Sequence, residues 1–284
     1  MKIIKKYLLV LVPVLAVAGM FWLYSQDSGN RGDLLTLGSD RGDRLEVQAA
    51  IQTVDPIKGE MSVRLDFTAH GNSLLNQDGT LLQEINILTN STTKNEVVFK
   101  RGQRLSAVEI TTSLYDGQYT NYPFDRHRAD LEVSAWINGT ADDRLEYLHL
   151  QLDLVSSVHG FRLQANQDPE SQADKGYLAV QLGIARAATT TVWALFVMFL
   201  LWAMALAVVA VTHSFATGQR KLEFGAFTWM GSMLFAFVGF RSAAPGVPPI
   251  GALIDVLAFF WAELIVAVCL VTTVLVYLRR NPTS

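Results

Sequence analysis

Four long stretches with almost no charge constrain what this chain can become. They are residues 7–24 (YLLVLVPVLAVAGMFWLY), 187–211, 224–240 and 254–278. A bilayer core of roughly 30 Å takes about 20 apolar residues in a helix. The sequence therefore predicts four transmembrane helices, one before and three after a long polar middle. Soluble core helices are the competing reading. Three such runs within the last hundred residues, with almost nothing polar to cover them, argue against it. For residues 7–24 a cleaved signal peptide competes, because Ala16-Val17-Ala18 has the small-x-small pattern. The apolar run continues through Phe21, Trp22 and Leu23, which favours an uncleaved anchor.

Charge sets the expected orientation. Lys2, Lys5 and Lys6 precede the first helix, Arg220 and Lys221 lie between the second and third, and Arg279 and Arg280 follow the fourth. Placing all seven in the cytoplasm satisfies the positive-inside rule. The expected location is a plasma membrane, multi-pass, with both termini cytoplasmic and the middle segment outside. From residue 26 to 185 there are 14 Lys plus Arg against 23 Asp plus Glu, an excess of 9 negative charges. Such a surface argues against nucleic acid as a partner and against close adhesion to anionic lipid. The single cysteine, Cys269, belongs to the fourth apolar stretch, so no intrachain disulfide is available.

The middle segment has a period of two. Met61, Val63, Leu65 and Phe67 alternate with polar residues, as do Leu148, Leu150, Leu152 and Leu154, and Leu178, Val180, Leu182 and Ile184. Further strands are predicted at 45–53, 82–89, 95–100, 104–114, 129–137 and 158–164. Turn signals such as Asp55-Pro56, Asp78-Gly79 and Asp116-Gly117 separate them. The fold class is thus an α+β membrane protein, an extracytoplasmic all-β sandwich inserted between one N-terminal and three C-terminal transmembrane helices. The expected boundaries are an anchor at 1–24, a Gly/Ser/Asp-rich linker at 25–44, the sandwich at 45–185 and the three-helix membrane domain with its short tail at 186–284.

Tyr122-Pro123-Phe124-Asp125 interrupts the strand pattern. Pro123 cannot donate to a ladder and holds Tyr122 extended, so the stretch is a rigid apolar corner entering the next strand. A sandwich corner packed on itself is one reading. A corner that couples to the membrane end is the other. The four residues resemble the loop of pentameric ligand-gated channels that meets the membrane domain. The layout departs from those channels, which carry all four helices after the sandwich. A wider resemblance rests on the anchor, the β domain with this corner, and the later pattern Arg241-Ser-Ala-Ala-Pro245-Gly-Val-Pro248-Pro249-Ile-Gly251, followed by Asp255 and Phe260-Trp261. On these residues the chain is similar to domain-of-unknown-function family 4436. That resemblance implies a membrane protein and brings no activity with it.

Two acids sit in or beside the fourth apolar stretch. Asp255 falls near its start and Glu263 near mid-membrane. A carboxylate at the bilayer centre costs about 2.5–3.5 kcal/mol, so it marks either a proton or cation relay or a hydrogen bond to a neighbouring helix through Thr228 or Ser232. Asp255 can also serve simply to cap the helix. The loop of Arg241, Pro245, Pro248 and Pro249 is expected to dock with the Tyr122–Asp125 corner, Arg241 pairing with Asp125. Phe124 is expected to be buried under the corner or pressed against something else.

The five histidines have no metal-ligand spacing, and no phosphate-binding glycine loop or nucleophile elbow occurs. No metal, no cofactor and no enzymatic activity are expected. The sequence reads as a multi-pass membrane protein whose outer β domain binds, senses or scaffolds. Beyond the lipid bilayer, its candidate partners are another protein or further copies of the chain. The first alternative is an ion or proton channel or transporter using Glu263. The second is a membrane-embedded enzyme.

Overall fold

Alternating apolar residues make most of the eleven strands found among the described residues of the β unit. The computed structural model describes residues 18–27, 32–38, 42–71, 73–138, 145–219 and 225–280. The chain divides into two units: the first takes residues up to Gln118 together with Arg126–Ala187, the second Tyr119–Asp125 together with everything from Ala188 onward.

In the first unit the strands are β1 (Gly32–Gly38), β2 (Arg44–Asp55), β3 (Glu60–His70), β4 (Ile85–Thr89), β5 (Glu96–Phe99), β6 (Val108–Ser113), β7 (Arg126–Asn138), β8 (Leu145–Tyr147), β9 (His149–Ser156), β10 (Phe161–Gln167) and β11 (Tyr177–Arg186). They form two sheets. One has the order β1-β9-β2-β3-β6, and the other β10-β11-β7-β4-β5 with β8 beside β7. All pairs are antiparallel except β2 with β9, which run parallel. The period of two carries through to burial. On β3, Met61, Val63, Leu65, Phe67 and Ala69 point inward, and on β7 His127, Ala129, Leu131, Val133, Ala135 and Ile137 do the same. Inward residues of both sheets share one apolar core, the arrangement of a β-sandwich.

Gly32–Gly38 falls in the stretch read from sequence as a linker, and this corrects that reading. It pairs with β9 and buries Leu37. It is a short edge strand with a register shift between Asp33 and Leu35, which is why its Gly- and Asp-rich surroundings mask it.

The second unit contains α1 (Ala188–Ala216), α2 (Gly225–Ser242) and α3 (Phe260–Arg280), the last entered through a short π turn at Asp255–Phe259. Two of the described helical stretches, Ala188–Ala216 and Asp255–Arg280, are long and apolar enough to cross a membrane, against four expected from sequence. α2 is only 18 residues and spends them partly on Thr228, Ser232 and Arg241. Of the first stretch, residues 7–17 lie outside the described residues, and residues 18–24 belong to a helical segment that runs to residue 27. The apolar surface of the two long helices is mostly uncovered. Only 33% and 17% of their most apolar windows are buried within the protein. On these two helices Phe199, Leu206, Val268 and Val271 all stand exposed.

Candidate functional site

The Tyr122 corner belongs to the helical unit. The chain leaves the sandwich after Gln118, makes a 3-10 turn at Tyr119–Asn121 and rejoins β7 at Arg126. The turn is closed by the amides of Tyr122 and Phe124, which donate to the carbonyls of Tyr119 and Asn121 at 3.2 and 2.8 Å. The Tyr122–Pro123 peptide is cis. Tyr122 is fully buried in the same apolar cluster as Ala194, Met198, Phe237, Ala244, Ala252 and Ile254. Thr191 of α1 donates its hydroxyl to the Pro123 carbonyl at 3.4 Å. Asp125 is buried as well. Phe124 is 52% exposed, so of the two readings for it burial under the corner does not hold, and the buried aromatic is Tyr122.

The loop after α2 is held by a buried ion pair. Arg241 lies in the last turn of α2 and Asp255 opens the π turn. The guanidinium donates through Nε to Oδ1 and through Nη2 to Oδ2 of Asp255, both at 2.9 Å. The amide of Gly251 adds a third bond to Oδ2 at 2.8 Å. The side chains are 9% and 0% exposed, so this fork-to-fork contact is shielded from water. It corrects the expected Arg241–Asp125 pairing. Arg241 had two acids to choose from, and the backbone after α2 returns Asp255 to it within one loop.

Between the pair the backbone is contorted. Gly246 and Val247 take φ of 76° and 36°, a region a β-branched residue enters only when its surroundings hold it there. Pro248 is buried, Pro245 and Pro249 half-buried, and Val247 and Ile250 exposed. The ion pair ties both ends of this loop.

The π turn frees backbone carbonyls, because its bonds reach five residues ahead: the Phe260 amide donates to the Asp255 carbonyl. Two indoles take up neighbouring carbonyls. Trp202 of α1 donates to Leu257 at 3.0 Å and Trp261 to Val256 at 2.8 Å. A third, Trp193, reaches the Ala243 carbonyl at 3.3 Å. Sequence reading missed these donors. Tryptophans in an apolar stretch are ordinary interface residues, and only the π turn gives them acceptors.

Glu263 stands apart from this cluster. It is half-buried on α3, and its Oε2 is buried with no hydrogen-bond partner among the described residues. Ser232, an expected partner, donates instead to the Trp229 carbonyl at 2.8 Å. Asp255 and Glu263 therefore do not form one polar site: the first is committed to Arg241 and Gly251.

Fold and site together define a class: a disulfide-free β-sandwich followed by a helical unit with two long apolar helices. Residues 35–183 match the family model described as Domain of unknown function (DUF4436). That is just over half of the chain, and the protein belongs to this family. Residues 186–280 match a second model, Domain of unknown function (DUF8686). The Arg241–Gly251 pattern thus falls in the second model, although it contributed to the resemblance to the first. No curated protein matches the chain.

Proposed function

We propose that this is a multi-pass plasma-membrane protein, with both termini cytoplasmic, that presents its sandwich outside to bind, sense or scaffold without catalysis. The observation that carries the reading is the uncovered apolar surface of Ala188–Ala216 and Asp255–Arg280. A soluble core helix is mostly buried, whereas these leave large side chains such as Phe199 and Val271 uncovered. Lipid would cover them. The Trp193, Trp202 and Trp261 bonds fit the same solvent, since unpaired carbonyls cost several kcal/mol in hydrocarbon. In this reading α2 and the N-terminal apolar stretch, at 18 residues each, are the two shorter spans. The test is extraction of membranes with alkaline carbonate. The protein is expected to stay in the pellet until detergent is added; release by carbonate alone would overturn the reading.

A second reading rests on Glu263 Oε2, buried without a partner among the described residues. A carboxyl placed so is suited to passing a proton. Purified protein in liposomes would then carry a proton flux that Glu263→Gln abolishes, and equal fluxes from both proteins would dispose of it.

A further inference from the structure

The six-stranded sheet carries an aromatic and apolar row on the face turned away from the core. In register, Trp136 of β7 stands between Tyr147 of β8 and Asn86 of β4, and Asn86 stands beside Val98 of β5. The alternate residues Ile85, Ile87, Val97, Ala135 and Ile137 are buried in the sandwich, so the row faces outward. Leu145 and Leu88 lie on the same face, two residues along from Tyr147 and from Asn86. Three steps of about 4.8 Å between strands make the row about 14 Å long. Acids stand at its rim. Glu84 accepts a bond from Nδ2 of Asn138 at 3.5 Å, and Glu96 stands opposite Leu88.

Two independent facts set this face apart from an ordinary sheet surface. The first is clustering. Among the described residues 32–118 and 126–187, six large apolar side chains are exposed: Ile57, Leu88, Val98, Tyr115, Leu145 and Tyr147. Four of the six share this face, and the half-buried Trp136 lies among them. Single exposed apolar residues are ordinary, whereas a contiguous group marks an interaction site. The second is Asn86. Its side chain is on the outward side of β4, yet the residue is only 6% exposed. Its Nδ2 is buried with no hydrogen-bond partner among the described residues. A buried donor without an acceptor is destabilising, so a retained one asks for an acceptor from outside the chain.

We infer that this face binds a neutral saccharide chain. Trp136 and Tyr147 offer rings against which the C–H face of a sugar packs. Asn86 supplies a donor for a hydroxyl oxygen in the middle of the row; seating the sugar turns the Trp136 indole and opens the amide to it. Glu84 and Asn138 at the rim accept from and donate to further hydroxyls. A row of about 14 Å takes roughly three sugar rings. A wholly apolar partner would leave the Asn86 amide as unpaired as it is now. An anionic one would meet Glu84 and Glu96 at the rim. The inference gives the binding role proposed above a ligand class and rests on that reading for its setting outside the cell; the site itself stands on the sandwich alone.

The test is titration of the full-length protein with oligosaccharides, read by calorimetry and by tryptophan fluorescence. A polyoxyethylene detergent is used so that no detergent headgroup is itself a sugar. The neutral probes are cellopentaose, maltopentaose, xylopentaose, mannopentaose and chitopentaose, with pentagalacturonic acid as their anionic counterpart. At least one neutral probe is expected to bind. Trp136→Ala and Tyr147→Ala should each weaken it about tenfold or more. Tyr147 is exposed, so the fold should tolerate its loss even where Trp136→Ala does not fold. Asn86→Leu separates binding from structure. It removes an unpaired donor, so the melting temperature should hold or rise while binding falls about tenfold. Ile57→Ser, at an exposed apolar residue elsewhere, should change nothing. Failure of every neutral probe to bind overturns the proposal. So does binding that survives both Tyr147→Ala and Asn86→Leu, or pentagalacturonic acid held as tightly as the best neutral probe. Concentration-dependent dimerisation that Tyr147→Ala abolishes, with no saccharide bound, gives the face to a second copy instead. Carbonate extraction reads the membrane assignment without involving this face, so the two failures are distinguishable.

Discussion

Removing one partner of the Arg241–Asp255 pair should cost far more than removing both. Each side chain is nearly sealed from water, and they share two bonds of 2.9 Å. Leaving one buried charge without its mate costs about 3–5 kcal/mol, whereas replacing the whole pair by well-packed neutral groups is often near neutral. Asp255→Asn strands the guanidinium but keeps an oxygen for the Gly251 amide. Arg241→Met strands the carboxylate. The double variant Arg241→Met/Asp255→Asn removes both charges and still gives Gly251 its acceptor. In a chain of this size each kcal/mol moves the melting temperature by about 2–4 °C, so either single change should lower it by roughly 10 °C. The double variant should recover most of that. The assay is thermal unfolding of the full chain in one detergent at one scan rate, since such transitions are commonly irreversible. Single variants that melt within about 2 °C of the parent, or a double variant worse than either single, would refute the reasoning.

Two further predictions concern other parts of the molecule. Burial, helped by the bond its hydroxyl donates to Asp130 at 2.7 Å and by that acid's charge, pushes the Tyr115 phenol up to about 12. A folded-state value above the ordinary 10 means the contribution is complete below pH 10 and is lost as pH rises toward 12. Denaturant melts should weaken across that window, and Tyr115→Phe should flatten the fall; an unchanged slope would remove Tyr115 as its cause. Trp202→Phe leaves the Leu257 carbonyl without its indole donor, at a cost of about 1–3 kcal/mol. A thermal melt of that variant indistinguishable from the parent would show that the π turn does not depend on the indole.

Where periodicity carries the information, the sequence was readable. Met61, Val63, Leu65 and Phe67 alternate in sequence and are buried in the structure, because a strand facing one core needs that pattern. The β1 strand was not readable, since an edge strand of seven residues holding two glycines shows too little alternation. The corner stood out through Pro123, yet which of Tyr122 and Phe124 is buried depends on the turn conformation, not on composition. Arg241 and Asp255 were both singled out as costly residues, but not as each other's partner. Pairing is set by the return path of the loop, through Gly246, Val247 and Gly251 with their positive φ.

The central claim is that the sandwich and the α1–α2 connection lie on opposite sides of a bilayer. In a Cys269→Ala background, single cysteines are placed by Thr53→Cys on β2 and by Gln219→Cys after α1, both exposed positions. Intact cells are then treated with a membrane-impermeant maleimide. The account predicts labelling at position 53 in intact cells and at position 219 only after permeabilisation. Equal labelling at both positions before permeabilisation would contradict it.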